Sequence, residues 1–408
     1  MTTVPSPQEF AASRTPGRTP LWLLALITLS GTLAMHIFVP ALPLAAKALG
    51  ATAHATQLTL STYIAGLAIG QLLYGPISDR YGRRPVLIVG MLIYTAASLA
   101  AYFAPSIEVL IVARLLQALG GCSGLVLGRA IVRDGSSGAE AARKLSLMNL
   151  MTMAGPGLSP LIGGALAETT GWRSIFVALT LLGLANLVLI HTLLRDRPNG
   201  HGSDARQVVR NYLALLRSPA FLGYTIGGGC ATTSLYAYIG AAPFIFVDQL
   251  HRPTYEVGTY LAINVAGIWF GSLTASWAVR RMPTSRIMIF GNLISCIAAA
   301  LFLAAAVTGQ LSVISAVVPM LVFSFGAGLA SPAALTEALG VIPKAAGSAS
   351  GLYGAAQMAI GAACTALGGL GGNPMLAAGS VLFGAGVVSQ IAFWLANRAR
   401  VRSTSSAG

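Results

Sequence analysis

Gly70-Gln-Leu-Leu-Tyr-Gly-Pro-Ile-Ser-Asp-Arg-Tyr-Gly-Arg-Arg-Pro85 separates two apolar runs and decides how the chain is read. One carboxylate, Asp79, stands among three guanidinium groups, Arg80, Arg83 and Arg84. Gly75, Gly82 and the two prolines allow the backbone to turn in little length. Arginines clustered between two membrane-length runs mark the cytoplasmic side, where positive residues are retained. The stretch therefore reads as a short cytoplasmic loop between two spans.

Composition leads to the membrane independently. The 408 residues are 55% hydrophobic and only 9% charged, against about 25% charged in a soluble domain. Twenty-five bases against 11 acids give a net charge of +14, a balance that by itself would suit nucleic acid. The bases are explained by topology instead, and no nucleic-acid partner is expected. Cys122, Cys230, Cys296 and Cys364 fall singly inside apolar runs, as small core residues do, with no metal-ligand spacing. No phosphate-binding loop and no nucleophile–base pair is present, so neither an enzyme nor a nucleotide-driven pump is expected, and no cofactor.

Residues 1–20, rich in Pro, Ser and Thr, read as a disordered cytoplasmic tail. Apolar runs follow from 21 to 194 and again from 219 to 397, and a span needs about 20 residues. The charge-free stretches 287–336 and 345–397 each hold two spans, turned at Thr308–Gln310 and Gly371–Pro374. Twelve spans result, six on each side of a polar insert at 195–218, with a second short tail at 398–408. With the N-terminus inside, Lys47, Arg173 and Arg252 fall outside and Arg114 and Arg129 within a span; every other base is cytoplasmic. In the insert, Val208, Val209, Tyr212, Leu213 and Leu216 form one apolar helical face beside Arg206, Arg210 and Arg217. This predicts an amphipathic helix on anionic lipid of the inner leaflet, after a flexible Pro198–Gly200.

The two sets of six are related by a repeat. A shift that carries Gly70 onto Gly271 carries Gly90 onto Gly291 without a gap. Arg280, Arg281 and Arg286 stand in the second copy, but Asp79 maps onto Arg280, so the acid is gone. Parallel repeats place a substrate site between the halves at mid-depth.

The pattern G-x-x-S-D-R-x-G-R-R, here Gly75 to Arg84, resembles the loop between the second and third helices of the major facilitator superfamily. The Gln-Leu-x-Tyr-Gly-Pro approach to it is most similar to the bicyclomycin/chloramphenicol-resistance (Bcr/CflA-type) drug:proton antiporters. The resemblance implies an all-α membrane fold of two pseudo-symmetric six-helix halves. It implies a cytoplasmic latch of Gly75, Asp79, Arg80, Gly82, Arg83 and Arg84 with Arg133 and Asp134. It also implies an antiporter hinge in the fifth span at Gly155, Pro156, Pro160, Gly163 and Gly164, where Ser159 replaces a usual glycine. Arg114-Leu-Leu-Gln-Ala resembles the family's R-x-x-Q-G motif, with Ala118 in place of glycine. An arginine in a bilayer must face protein or water, or else snorkel to the surface.

Met35-His36-Ile-Phe-Val-Pro40-Ala-Leu-Pro43 resembles a family segment that commonly carries an acid where His36 stands. His36 is either a titratable group of the cavity or a neutral histidine hydrogen-bonded within the bundle. Together with Arg114, it heads the cavity candidates Tyr63, Asn149, Tyr236, Tyr238, Asn264 and Gln357; the amide side chains serve equally as links between helices. The function implied is efflux of small molecules across a bacterial inner membrane, proton-coupled, by a monomer. The alternative is a facilitator, importer or sensor without coupled export. A cavity with no carboxylate favours neutral or weakly acidic amphiphiles over lipophilic cations.

Overall fold

The computed structural model describes residues 19–136, 138–194 and 205–405. Residues 1–18 of the expected tail, 195–204 of the insert (including Arg195, Arg197 and Pro198–Gly200) and the last three residues lie outside it. The first half comprises α1 (Leu21–Ile37), α2 (Leu42–Leu49), α3 (Ala53–Tyr81), α4 (Arg83–Tyr102), α5 (Ile107–Asp134), α6 (Gly138–Thr169) and α7 (Ser174–Leu193). A short helix, α8 (Ala205–Leu216), leads to the second half: α9 (Pro219–Thr233), α10 (Leu235–Pro243), α11 (Thr254–Ala278), α12 (Thr284–Val307), α13 (Val313–Leu339), α14 (Ala346–Gly368) and α15 (Pro374–Ser405).

Among the described residues, eleven segments are long and apolar enough to cross a membrane. The twelfth crossing is α14, 23 residues long but rich in Gly, Ala and Ser, which lowers its hydropathy. Two crossings are broken. Pro40 has no N–H to give, and the first crossing passes from α1 through a 3-10 turn at Val39–Ala41 into α2. The seventh is interrupted at Ser234 and passes through a turn of π-helix, Phe244–Gln249, after Pro243. Neither break is expected from hydropathy, because the residues on both sides are equally apolar.

The Gly70–Pro85 stretch corrects the sequence reading in one respect, since it is almost wholly helix. Asp79 and Arg80 lie in the last turn of α3, and Arg83 and Arg84 open α4. The joint is the single residue Gly82, at φ 94° and ψ 152°, a conformation closed to residues with a side chain. Two arginines at a helix N-terminus oppose the helix dipole, so this joint needs carboxylates close by.

Within each half the same crossings recur. A Cβ on Gly120 of α5 would strike the Gly90 carbonyl and the Tyr94 nitrogen of α4; a Cβ on Gly326 of α13 would strike the Gly291 carbonyl of α12. A Cβ on Gly128 would meet Thr28, and one on Gly228 would meet Ala334. The repeat inferred from Gly70 and Gly90 is thus a repeat of close helix crossings. The halves meet along α3 with α14 and along α6 with α11. Leu215 of α8 is buried, and Asn211 Nδ2 donates to Ser348 Oγ at 3.4 Å, at the start of α14. Val209, Leu213 and Leu216 stay exposed, so the face grouped from the sequence is divided between protein and surroundings.

Candidate functional site

Three groups of polar residues stand out against the apolar core. The first is the joint. Arg83 Nη2 lies 2.7 Å from Asp79 Oδ1, its Nε donates to Asp134 Oδ2 at 3.1 Å, and its Nη1 donates to Ser78 Oγ. One guanidinium therefore ties the end of α3 to the end of α5 by pairing with both acids. Arg133 approaches Asp134 only at 3.9 Å, with more than half of its side chain exposed. Arg84 Nη2 donates to the His191 carbonyl at 2.9 Å, and Arg80 lies over the Tyr81 ring. The second half has a different closure at this end: Glu337 on α13 accepts from Thr284 and pairs with Arg400.

The second group is a polar column inside the first half. Arg114 is fully buried. Its Nη1 donates to the Ala34 carbonyl at 3.0 Å and to Gln117 Oε1 at 2.6 Å. Gln117 Nε2 donates in turn to Ser98 Oγ at 2.7 Å. The guanidinium carbon sits 4.1 Å from the centroid of Tyr63 and 5.4 Å from that of Phe38, a distance at which ring faces attract a cation. Tyr63 gives its hydroxyl to the Gly31 carbonyl at 2.7 Å. Ala34 lies one turn before the break in the first crossing, so Arg114 braces the broken helix. Arg114 Nε and Nη2 have no acceptor among the described residues. Gln117 is legible in the sequence, three residues after Arg114 and so on the same helix face; Ser98, Phe38 and the Ala34 carbonyl carry no such signal.

The third group lies at the seam. His36 and Tyr236, on opposite halves, face each other with ring centroids 6.3 Å apart at 57°. His36 Nδ1 pairs with the Thr32 carbonyl at 2.8 Å. On the second half, Gln357 Nε2 donates to Thr232 Oγ1 at 2.7 Å, and Thr233 Oγ1 donates back to the Gln357 carbonyl at 2.8 Å, tying α14 to α9. Asn149 is exposed on α6, on the side between the faces that carry Met148 toward α1 and Gly157 toward α11. Asn264 donates to the Tyr260 carbonyl of its own helix at 3.1 Å. Tyr238 is fully buried, edge-on to Phe302 with centroids 5.7 Å apart. The structure thus brings His36 and Tyr236 together at the seam, holds Gln357 against α9 within the second half, and puts Arg114 and Tyr63 in the interior of one half and Tyr238 in the interior of the other.

The expected hinge runs through Pro156 and Pro160 as one helix, α6. It is tightly seated: a Cβ on Gly163 would strike the Ile37 carbonyl, one on Gly155 the Leu29 side chain, and one on Gly164 would come within 3.1 Å of Tyr255. Contacts between the halves gather at the end away from the arginine joint. There Leu60 lies against Gly240, Gln57 and His54 against Gly369, Pro160 against Gly258, and the Tyr255 N–H donates to Glu168 Oε2 at 3.2 Å. They continue toward the joint as far as Gln71 on Gly354. Beyond that, a Cβ on Gly75 or Gly347 would find no atom within 4 Å.

Two repeated six-helix halves, joined along two helix pairs around a polar seam, define a multi-pass membrane carrier. The chain belongs to the major facilitator superfamily, whose family model matches residues 24–366, a family of transporters rather than enzymes. It is 30% identical over 342 residues to multidrug resistance protein D of Escherichia coli, covering 83% of this chain and 85% of that one. It is 30% identical over 338 residues to a chloramphenicol resistance protein of Pseudomonas aeruginosa, covering 81% and 79%. An uncharacterized transporter of this type from Bacillus subtilis, YdgK, is 29% identical over 396 residues, covering 94% and 96%. Among solved structures, the fold is similar to a bacterial homologue of the human lysosomal transporter Spinster, in an inward-facing and unoccupied conformation, with TM-score 0.74, 16% identity and coverage of 94% and 97%. It is also similar to a D-xylose–proton symporter, with TM-score 0.73, 17% identity and coverage of 92% and 96%.

Proposed function

We propose that this chain exports small amphiphilic molecules across a bacterial inner membrane by alternating access, driven by proton antiport, as a monomer with both termini in the cytoplasm. The observation that carries this reading is the asymmetry of the seam. It is packed at the end away from the arginine joint and unfilled around Gly75 and Gly347 at the joint itself. With the joint cytoplasmic, as its arginines require, this is the cytoplasm-open half of a cycle. In the opposite half, the Gly75 face of α3 closes on the start of α14, and the Asp79–Arg83–Asp134 cluster becomes part of the closed gate. The resistance functions printed for the Escherichia coli and Pseudomonas relatives support efflux. His36 and Tyr236, where the halves touch, together with Asn149 and Gln357, line the substrate path, and His36 carries the proton. The glycine seats of α6 at Gly155, Gly163 and Gly164 hold the hinge on which one half rocks against the other. The exposed Val209, Leu213 and Leu216 of α8, flanked by Arg210 and Arg217, rest on anionic lipid of the inner leaflet.

A second reading has one observation in its favour. The first crossing carries His36 and no carboxylate, which fits a facilitator without proton coupling. Uptake into inverted vesicles decides between them. Accumulation of chloramphenicol-like neutral solutes that collapses with the proton gradient supports antiport; equilibration that ignores the gradient supports the facilitator.

A further inference from the structure

Arg129 stands apart from the three polar groups, and its surroundings are unusual. It lies five residues before the end of α5 at Asp134, about 7–8 Å inside the helix end at 1.5 Å per residue. The residue is exposed, and none of the hydrogen bonds or ion pairs of the described residues involves it. Bases with a carboxylate partner are common elsewhere: Arg83 with Asp79 and Asp134, Lys144 with Glu140, Arg252 with Glu256, Arg400 with Glu337.

Helix register shows which way Arg129 points. Cys122, two turns earlier on the same side, donates to the Leu67 carbonyl of α3 at 3.3 Å, and Leu125, one turn earlier, is 7% exposed. The neighbouring Gly128 seats on Thr28 of α1. The lipid-facing stripe of α5 is a different one, Val109, Val112 and Leu116, all exposed. Arg129 therefore projects on the α1–α3 side, toward the seam at the end where it is unfilled. The corresponding position of the other half, counted from Gly326 as Arg129 is from Gly120, is Leu335. The charge belongs to one half only.

A guanidinium held at membrane depth without a protein counter-charge needs an anion or water to face it. We infer that Arg129 is the residue that selects for an anionic group on the transported molecule, binding the carboxylate or similar oxyanion of an otherwise apolar solute as it enters from the joint end. Arg114 cannot serve this purpose, since it is fully buried inside the first half, with its Nη1 held by Ala34 and Gln117. The inference rests on the export reading above and names the class of solute that reading would take.

The test uses the full chain in phosphatidylcholine nanodiscs and three probes with one apolar body: pyrenebutyrate, its neutral amide, and a trimethylammonium analogue. The wild type is expected to bind them in the order anion, amide, cation. Arg129→Gln should weaken the anion about tenfold, as loss of a charge-assisted hydrogen bond does, with the amide unchanged; Arg129→Lys should keep part of the preference. Equal binding of all three probes by the wild type, or an anion preference that survives Arg129→Gln, overturns the inference and leaves the export reading standing. Absence of saturable binding for every probe overturns both. An anion preference abolished by adding phosphatidylglycerol assigns Arg129 to a lipid headgroup and overturns it as well. Where Arg129→Gln fails to fold, Arg129→Lys carries the test: an anion preference as large as that of the wild type overturns the inference.

Discussion

The two halves of this carrier share their helix crossings and differ in what lies between them. Counting from Gly120 and Gly326, Arg114 corresponds to Met320 and Gln117 to Phe323; counting from Gly90 and Gly291, Ser98 corresponds to Ala299. In the first half these positions form a continuous hydrogen-bonded column. In the second, Met320, Phe323 and Ala299 are equally buried but wholly apolar. Glycines at a crossing fix how closely two backbones approach, and any side chain there moves a helix. Residues one or two turns away fill whatever space the crossing leaves, and they are free to change chemistry provided that volume and polar partners stay matched. The first half is thus a braced body around one buried cation. At the matching positions the second half is packed by apolar shape, and unbranched Met adapts to more than one arrangement.

The largest effect should come from breaking the brace. Arg114→Ala strands Gln117 Oε1 and the Ala34 carbonyl in the interior, at about 1–3 kcal/mol for each buried acceptor left unmet, and leaves a cavity as well. Loss of a monodisperse peak in detergent, with transport abolished, is expected. Arg114→Lys should do little better, since an ammonium cannot both bridge two acceptors and stack on Tyr63. Met320→Leu at the matching position should cost less than about 1.5 kcal/mol. Comparable stability of Arg114→Met and the wild type would mean that the column is ornament and the halves are alike after all.

Next come the crossings, where the halves should respond equally. Gly120→Ala and Gly326→Ala each drive a methyl into an opposing backbone carbonyl, an overpacking that costs about 1–3 kcal/mol. Thermal unfolding of both in the same detergent checks the match. A large effect in one half and none in the other would break the equivalence on which the residue-by-residue comparison rests.

The joint ends of the halves also differ, and here transport should suffer more than folding. Asp79 belongs to a three-way cluster, partly exposed, whereas Glu337 is nearly buried and pairs with Arg400. Asp79→Asn should leave the protein intact, exposed pairs being worth up to about 1 kcal/mol. It should lower export about tenfold, the result of a shift of some 1.4 kcal/mol between gate states. Glu337→Gln should mainly destabilise, because Arg400 and Thr284 lose a shared partner. Normal export by a well-expressed Asp79→Asn protein would remove the cluster from the gate.

These contrasts bear on what the sequence disclosed. The spans, the repeat and the arginine joint were legible because each is written in long-range composition: apolar length, the spacing of Gly70, Gly90, Gly271 and Gly291, and clustered charge. The joint was nonetheless misread as a loop, since Pro76 sits inside α3 and only Gly82 breaks the helix. The acceptor for Arg114 was illegible, because Ala34 contributes a main-chain carbonyl and any residue supplies one. The two aromatic candidates Tyr63 and Tyr238 could not be sorted from Tyr236 by type; only register and the breaks at Pro40 and Ser234 decide which ring reaches the seam. Arg129 was visible as an embedded charge, but its unpaired state required knowledge of what surrounds it.

The finest difference between the halves lies where they touch, in the pair His36 and Tyr236. Both are aromatic, and each sits beside a break in its crossing, His36 in the last turn of α1 before Pro40 and Tyr236 in the first turn of α10 just after Ser234. Only the imidazole changes charge near physiological pH. If proton coupling resides here, it resides in that one departure from symmetry. His36→Ala should abolish accumulation driven by the proton gradient while downhill exchange stays within roughly twofold of wild type, since the pathway is intact and only the driving step is lost. His36→Tyr sharpens the comparison, because it makes the two halves chemically alike at the contact and keeps an aromatic ring of similar reach. It should behave as the alanine variant does in coupling, with better stability. Tyr236→Phe, which alters the other half without touching a titratable group at this pH, should retain coupling. Gradient-driven accumulation that persists in His36→Tyr would place the proton elsewhere in the molecule, and the halves would then differ at this contact in shape alone.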